Sequence, residues 1–288
     1  MKKILIIRFS SIGDIVLTTP IIRAIDEQTD YEIHVLTKHS YKGLYEVNPR
    51  INKVHSFIKS TSECLPDLRK EGFDTIVDLQ KNMRSHKLKK KLKVPSYSFP
   101  KLNIKKWLLV NFKINRMPKI HIVERYFEAV SNIGVKNDGK GLEYYIPADD
   151  EVAPESIDLR LKEPFISIVI GGQHKTKILP PEKIVQIISE IKMPVVLLGG
   201  KEDKKRGEEI VKLAPNYDII VTCGEMNLNQ SASMLQSSEV VITNDTGLMH
   251  IAAALNKNII SIWGNTVPEF GMYPYMPENK DSLLFQKY

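Results

Sequence analysis

Four stretches combine acids, cations, hydroxyls and glycines in patterns with a chemical use. The first is Arg8-Phe9-Ser10-Ser11-Ile12-Gly13-Asp14, lying between the apolar run Ile4 to Ile7 and an apolar helical pattern. A strand feeding a helix there puts Asp14 at a helix N-terminus. Gly13 permits close approach of a ligand or another backbone, and Ser10 and Ser11 supply hydroxyls. Asp14 reads either as a helix cap or as a carboxylate that takes a proton from an attacking hydroxyl in general-base catalysis. Pro20, early in the same helical pattern, marks a kink or a second start.

The second stretch, Val240 to His250, is a strand, a turn and the start of the small-residue helix Ile251-Ala252-Ala253-Ala254-Leu255. Asp245, Thr246 and Gly247 offer backbone N–H groups and a hydroxyl at a positive helix end, suited to a diphosphate, with His250 one turn further on. A capped helix with a buried histidine is the alternative. The third, Ile170-Gly171-Gly172-Gln173-His174-Lys175-Thr176-Lys177, joins a strand to a helix starting near Pro181. Its glycines and Lys175 or Lys177 fit a phosphate clamp, although it lacks P-loop spacing, and the lysines equally read as solvated loop charges. The fourth, Gly199-Gly200 with Asp203, places a carboxylate beyond a strand-to-helix turn, for ribose hydroxyls or as an N-cap.

The scaffold around these residues follows a βα rhythm. Ile4 to Ile7, Glu32 to Leu36, Lys53 to Phe57 and Thr75 to Leu79 are β-rich runs, several of them separated by helical-length stretches. Val123 to Ile133 predicts a helix ending at Gly134, and Leu142 to Ile146 a strand. Pro147 to Pro164, with three prolines and eight charged residues, reads as a linker with a short lead-in. A second series follows: strands at Phe165 to Ile170, Val195 to Leu198, Ile219 to Val221, Val240 to Thr243 and Ile259 to Trp263, with helices from Pro181, about Asp203, Leu228 and Gly247. The expectation is an α/β chain of two Rossmann-like, doubly wound domains, 1–150 and 151–288, facing each other across a cleft.

The 288 residues are 42% hydrophobic and 26% charged, a globular balance that excludes disordered and fibrous classes. Two cysteines without paired spacing exclude a zinc site or disulfide framework and point to a reducing, cytoplasmic setting. Met1-Lys2-Lys3 and Ile4 to Ile7 imitate a secretory signal, but Arg8 closes the apolar run too early. The formal charge of +7 is concentrated: residues 81–119 hold 13 Lys or Arg and no Asp or Glu, leaving the rest with 28 cations against 34 acids. Tyr97, Phe99, Trp107 and Phe112 interleave with those cations, a mixture suited to phosphorylated lipid head groups or to nucleic acid, or simply a solvated face.

Taken together, the R-F-S-S-I-G-D opening, the G-G…K…L-P loop and the N-D-T-G-L-M-H-I-A-A-A-L…I-W-G-N-T segment resemble the ADP-heptose:lipopolysaccharide heptosyltransferase family, glycosyltransferase family 9, over nearly the whole chain. The resemblance implies the GT-B fold and inverting, metal-independent transfer from ADP-heptose to phosphorylated lipopolysaccharide or another glycolipid. It implies Asp14 as catalytic base and Lys177 against the donor phosphates. Asp245, Thr246, Gly247 and His250 match the motif that holds the donor, with Gly172 and Gln173 beside them. Met226 falls near the nucleotide base and Asp203 near the ribose-binding acid, while Arg8, Ser10, Ser11 and Gly13 fall on the acceptor side. No cofactor, metal or nucleic acid is implied. Peripheral contact with the inner face of the inner membrane through 81–119 would suit such an acceptor. Two departures stand out. His174-Lys175-Thr176 replaces the family's usual small or aromatic residues, and the chain stops at Tyr288 where family members continue, which suggests a missing C-terminal tail. A sugar-nucleotide epimerase of the same architecture, or a nucleic-acid-binding protein using the basic segment, are the alternatives.

Overall fold

The apolar run that opens the chain forms β1 (Lys2–Ile7), whose last four residues are buried, as expected of a parallel strand covered on both faces. A computed structural model describes residues 2–172, 175–264 and 267–287. After β1 come α1 (Ile12–Val16), α2 (Thr19–Gln28), β2 (Tyr31–Lys38), α3 (Gly43–Glu46), β3 (Lys53–Phe57), α4 (Leu65–Glu71), β4 (Thr75–Asp78), α5 (Met83–Leu92), β5 (Ser96–Ser98), α6 (Asn103–Phe112) and α7 (Ile122–Phe127). The five strands pair in parallel in the order β3-β2-β1-β4-β5, with Ile4 opposite Ile33 on one side and Thr75 on the other. Leu5, Ile7, Leu36 and Ile76 from the strands meet Leu68 of α4 and Leu88 of α5 in one core.

The second series forms β6 (Ile166–Val169), α8 (Pro181–Ile188), β7 (Val195–Leu198), α9 (Lys204–Leu213), β8 (Ile219–Val221), α10 (Leu228–Ser237), β9 (Val240–Asn244), α11 (Gly247–Ala254), β10 (Asn258–Trp263) and β11 (Leu283–Lys287). Its parallel sheet runs β11-β10-β9-β6-β7-β8. Ile168, Leu197, Ile242 and Ile262 pack there with Ile184 and Ile188 of α8 and Ile210 of α9. The chain divides into two compact units, Met1–Tyr145 with Glu269–Tyr275, and Ile146–Pro268 with Met276–Tyr288.

The structure decides one open alternative and departs from other expectations. Pro20 is a second start, standing at the beginning of α2 after α1 has ended. The helix expected over Val123 to Ile133 stops at Phe127. Its continuation tightens to three-residue bonds, Ala129 N–H to Tyr126 O and Val130 N–H to Phe127 O, before Gly134 turns the chain at φ 82°. Leu142 to Ile146 is not a strand, because α2 takes its neighbours' polar groups: Thr19 Oγ1 accepts the Glu143 N–H at 2.9 Å, and Arg23 donates to Gly141 O at 2.9 Å.

The stretch read as a linker is packed. Asp150 accepts from Asn227 and Asn229 at 2.7 Å each, and Ser233 Oγ accepts the Val152 N–H, binding the lead-in to α10. Glu269–Tyr275 belongs to the first unit although 151–288 had been expected as one domain. Ile122 donates to Gly271 O at 2.7 Å, Arg125 to Phe270 O at 2.9 Å, and His121 Nε2 lies 2.8 Å from Tyr273 O.

Candidate functional site

In each sheet the strand order reverses beside the first strand, so loops leaving two neighbouring strands diverge and open a crevice at the strand C-termini. In the first unit this switch point lies between β1 and β4, and in the second between β6 and β9. The chemistry-bearing stretches leave those strands: Arg8 to Asp14 follows β1, Gly171 to Lys177 follows β6, and Asp245 to Gly247 follows β9.

In the first unit Asp14 is the third residue of α1, and Ser11 holds the cap position. Asp14 Oδ1 lies 2.6 Å from Arg8 Nη2, and Oδ2 accepts from Ser11 Oγ at 3.1 Å and Ser11 N–H at 3.3 Å. The carboxylate is thus fixed on one side by a guanidinium and on the other by a capping turn, with 21% of the side chain exposed. Arg8 is itself held by partners distant in sequence. Its Nη1 donates to Leu79 O at 2.6 Å and Tyr126 Oη at 2.9 Å, and Nε donates to Ser10 O. Burial, ahead of the Arg8 charge that opposes it, pushes the Tyr126 phenol up to about 12, so it remains a neutral hydroxyl.

Sequence reasoning passed over Gln80, Lys101, Lys106 and Arg125. Gln80 Oε1 accepts the Phe9 N–H at 2.8 Å, tying the loop after β1 to the loop after β4. Lys101 Nζ donates to Lys81 O at 3.1 Å, and burial first, then Arg8, lowers its pKa. Burial and then Arg125 do the same for Lys106, whose Nζ lies 5.6 Å from the centre of the Phe270 ring. Arg125 is buried, and its Nε and Nη1 have no hydrogen-bond partner among the described residues. Cations crowded and half desolvated in this way attract an anion. For Lys101 and Lys106 the signal in the sequence was the excess charge of 81–119, which does not single them out; Gln80 and Arg125 lie outside that segment.

In the second unit Lys177 Nζ lies 2.6 Å from Asp245 Oδ2, joining the loop after β6 to the turn after β9. Thr246 caps α11, its Oγ1 accepting the Met249 N–H at 3.3 Å. Helix geometry leaves the first-turn N–H groups of Gly247 and Leu248 without acceptors inside α11, directed at the same turn. A side chain on Gly172 would meet Ile178 Cγ1 at 3.2 Å and Thr246 Cγ2 at 3.9 Å, so the glycine brings the two loops together. His250 is 3% exposed, inside the helix packing rather than at its surface. Met226 is half-buried on the turn between β8 and α10, and Gln173 lies outside the described residues.

Asp203 serves as a capping acid at the turn after β7. It is 2% exposed, accepts the Gly200 N–H through Oδ2 at 3.0 Å and pairs with Arg206 through Oδ1 at 2.8 Å. A Cβ on Gly199 would lie 2.8 Å from Asp203 Cβ, and one on Gly171 would collide with Asp203 Oδ2. Asp203 therefore braces two glycine turns from beneath.

Among the described residues, His34, His55 and Glu71 form a group with metal-ligand spacing. Its ligand atoms are already engaged: His34 Nδ1 lies 2.9 Å from His55 Nε2, His34 Nε2 lies 2.8 Å from Glu32, and Glu71 pairs with Lys3 and Lys53. The group stands on β2, β3 and α4, away from the switch point.

Comparison with known proteins gives the family and the fold. The model of Glycosyltransferase family 9 (heptosyltransferase) matches residues 64–286. A curated relative, lipopolysaccharide heptosyltransferase 1 of Campylobacter coli, is 26% identical over 288 residues, covering 92% of this chain and 84% of that protein. Among solved structures, a family 9 glycosyl transferase of Veillonella parvula superposes with a TM-score of 0.81 at 21% identity, covering 99% of this chain and 87% of its own. The ADP-heptose lps heptosyltransferase II of E. coli superposes with a TM-score of 0.70, also at 21% identity, covering 99% and 90%.

Proposed function

The chain belongs to glycosyltransferase family 9 (heptosyltransferase), and from that membership we propose that it moves heptose, or a closely related sugar, from ADP-heptose to the inner core of lipopolysaccharide. It is a glycosyltransferase of GT-B fold, so the epimerase reading is not carried further. The observation that carries the donor assignment is the Lys177–Asp245 contact of 2.6 Å at the β6/β9 switch point, beside the capped start of α11. A cation and uncommitted helix N–H groups there suit a diphosphate.

In this reading Asp14 takes the proton of the acceptor hydroxyl as its oxygen bonds to the anomeric carbon. The bond from that carbon to the diphosphate oxygen breaks with inversion, and ADP departs with the electron pair. Lys177 and the α11 N-terminus stabilise the charge that develops on the leaving group, so the step needs no metal. Arg8 and Ser11 position Asp14, while Lys101, Lys106 and other cations of 81–119 meet the acceptor's phosphates. The setting is cytoplasmic, at the inner face of the inner membrane.

The test is calorimetric titration of the chain with ADP, ADP-heptose, UDP and a UDP-sugar, with a chelator present. Selective binding of ADP and ADP-heptose that is lost in Asp245→Ala supports the reading. A preference for UDP overturns the donor assignment, and in a parallel transfer assay with acceptor, heptosyl transfer abolished by the chelator overturns metal independence.

A further inference from the structure

The proposed transfer chemistry uses the cations of α6 but none of its apolar residues, and those are unusual for a helix in water. None of its ten residues is buried. Ile104 is 76% exposed, Trp107 55%, Val110 55% and Phe112 58%, and Ile114, just beyond the helix, is 45% exposed. Short helices in proteins draw most of their stability from packing an apolar face, and here that face points outward. Ile104, Trp107 and Val110 follow one another at three-residue intervals, which places them within an arc of about 120° on one side. Lys106 leaves the helix elsewhere, toward the Phe270 ring, and fixes α6 to the unit.

Cations surround this apolar face. Lys105, Lys113, Arg116 and Lys119 are exposed on or just after α6, and α5 exposes Arg84 and Lys87. With no acid between 81 and 119, the surface complements an anionic partner. The aliphatic members decide between a lipid and a nucleic acid. Bases stack on aromatic rings and have no use for Ile104, Val110 or Ile114, whereas a helix lying in a bilayer interface buries aliphatic and aromatic residues together beneath a rim of lysines. No helix among the described residues is long and apolar enough to cross a membrane, so such contact is with its surface.

We propose that α6 seats in the interface of an anionic phospholipid bilayer, with Ile104, Trp107 and Val110 among the acyl chains and the flanking lysines against the head groups. This deepens the reading of a glycolipid acceptor, and rests on it only for the reason a membrane should be reached.

Vesicles of phosphatidylcholine alone and of phosphatidylcholine with phosphatidylglycerol test the proposal on the full chain. Trp107 is half-exposed whereas Trp263, the second tryptophan, is 2% exposed, so changes in tryptophan emission report on α6. The expected result is co-sedimentation with the anionic vesicles only, weakened by salt, with a blue shift and shielding of the emission from acrylamide. Trp107→Phe should keep the binding and lose the shift. The double variant Ile104→Asn/Val110→Asn should bind vesicles about tenfold or more weakly with ADP titration unchanged. Absence of binding to anionic vesicles overturns the proposal. So does binding in which acrylamide quenches Trp107 as it does in water, or equal shielding of Trp107 by RNA. Loss of ADP selectivity alongside intact vesicle binding would count against the transferase reading and leave this one standing.

Discussion

Replacing Asp14 by asparagine separates chemistry from folding. The substitution keeps the shape and removes the charge. Arg8 Nη2, 2.6 Å away, retains a neutral acceptor, while the new amide group faces the Ser11 N–H that Asp14 Oδ2 accepted at 3.3 Å. Losing a charge-assisted bond at a site 21% exposed costs about 1–2 kcal/mol once solvent screening is counted. Arg8 itself stays fixed by Leu79 O, Tyr126 Oη and Ser10 O. From a typical stability of about 5 kcal/mol or more, at least about 3 kcal/mol remains, enough to keep about 99% of the chain folded. Removal of a general base lowers kcat by about 10²–10⁴, equivalent to about 3–5 kcal/mol of barrier. Unfolding therefore cannot imitate the expected loss. The assay is the initial rate with saturating ADP-heptose and a deacylated lipopolysaccharide acceptor, alongside a thermal melt and ADP calorimetry. The expected outcome is the fall in kcat with ADP affinity intact, since the donor residues are on the other unit. A folded Asp14→Asn variant whose kcat stays within about threefold of the parent would refute the assignment of the base.

Lys177→Met should weaken ADP binding about tenfold by calorimetry, the low end for a charged hydrogen bond, because Lys177 already neutralises Asp245 before ligand arrives; unchanged affinity would remove Lys177 from the donor site. Gly224 stands at φ +76°, and a Cβ there would lie 2.7 Å from Lys201 Cα, so Gly224→Ala should destabilise the fold by about 3 kcal/mol in urea unfolding. Burial first and His34 second hold the His55 imidazole down at about 4, against 6.5 when unfolded, so the unfolded chain takes up this proton first. Stability is then full above about pH 6.5 and falls, by up to about 3 kcal/mol, as pH drops toward about 4. Glu71, held at about 2 by Lys53 and Lys3, loses its contribution only below its ordinary value of 4.5, so the interval above that belongs to His55. Urea titrations of the parent and His55→Gln across this interval should show a slope that the variant lacks.

Elements whose stability is local were legible in the order of residues, and so was their place in a doubly wound scheme. Val195 to Leu198 is four consecutive apolar residues, and a run of that kind fits only a strand buried on both faces. Pro181 at a first turn and Thr246 at a cap position start helices through local chemistry, whatever lies elsewhere in the chain. Motifs placed directly after β1, β6 and β9 were therefore already at strand C-termini, and parallel order alone brought them to the two switch points.

Features that depend on distant partners emerged only on folding. Arg8 is fixed by Leu79 and Tyr126, separated from it by 71 and 118 residues, and no local pattern announces such pairings. Asp203 had the spacing of a ribose ligand or a cap, and only the approach of Gly171 and Gly199 over it shows a buried brace. Leu142 to Ile146 had strand composition but met α2 side chains instead of a sheet edge, whereas Leu283–Lys287 found the free edge of β10 and paired. A backbone hydrogen bond needs a partner at the right register, and register is a property of the folded chain.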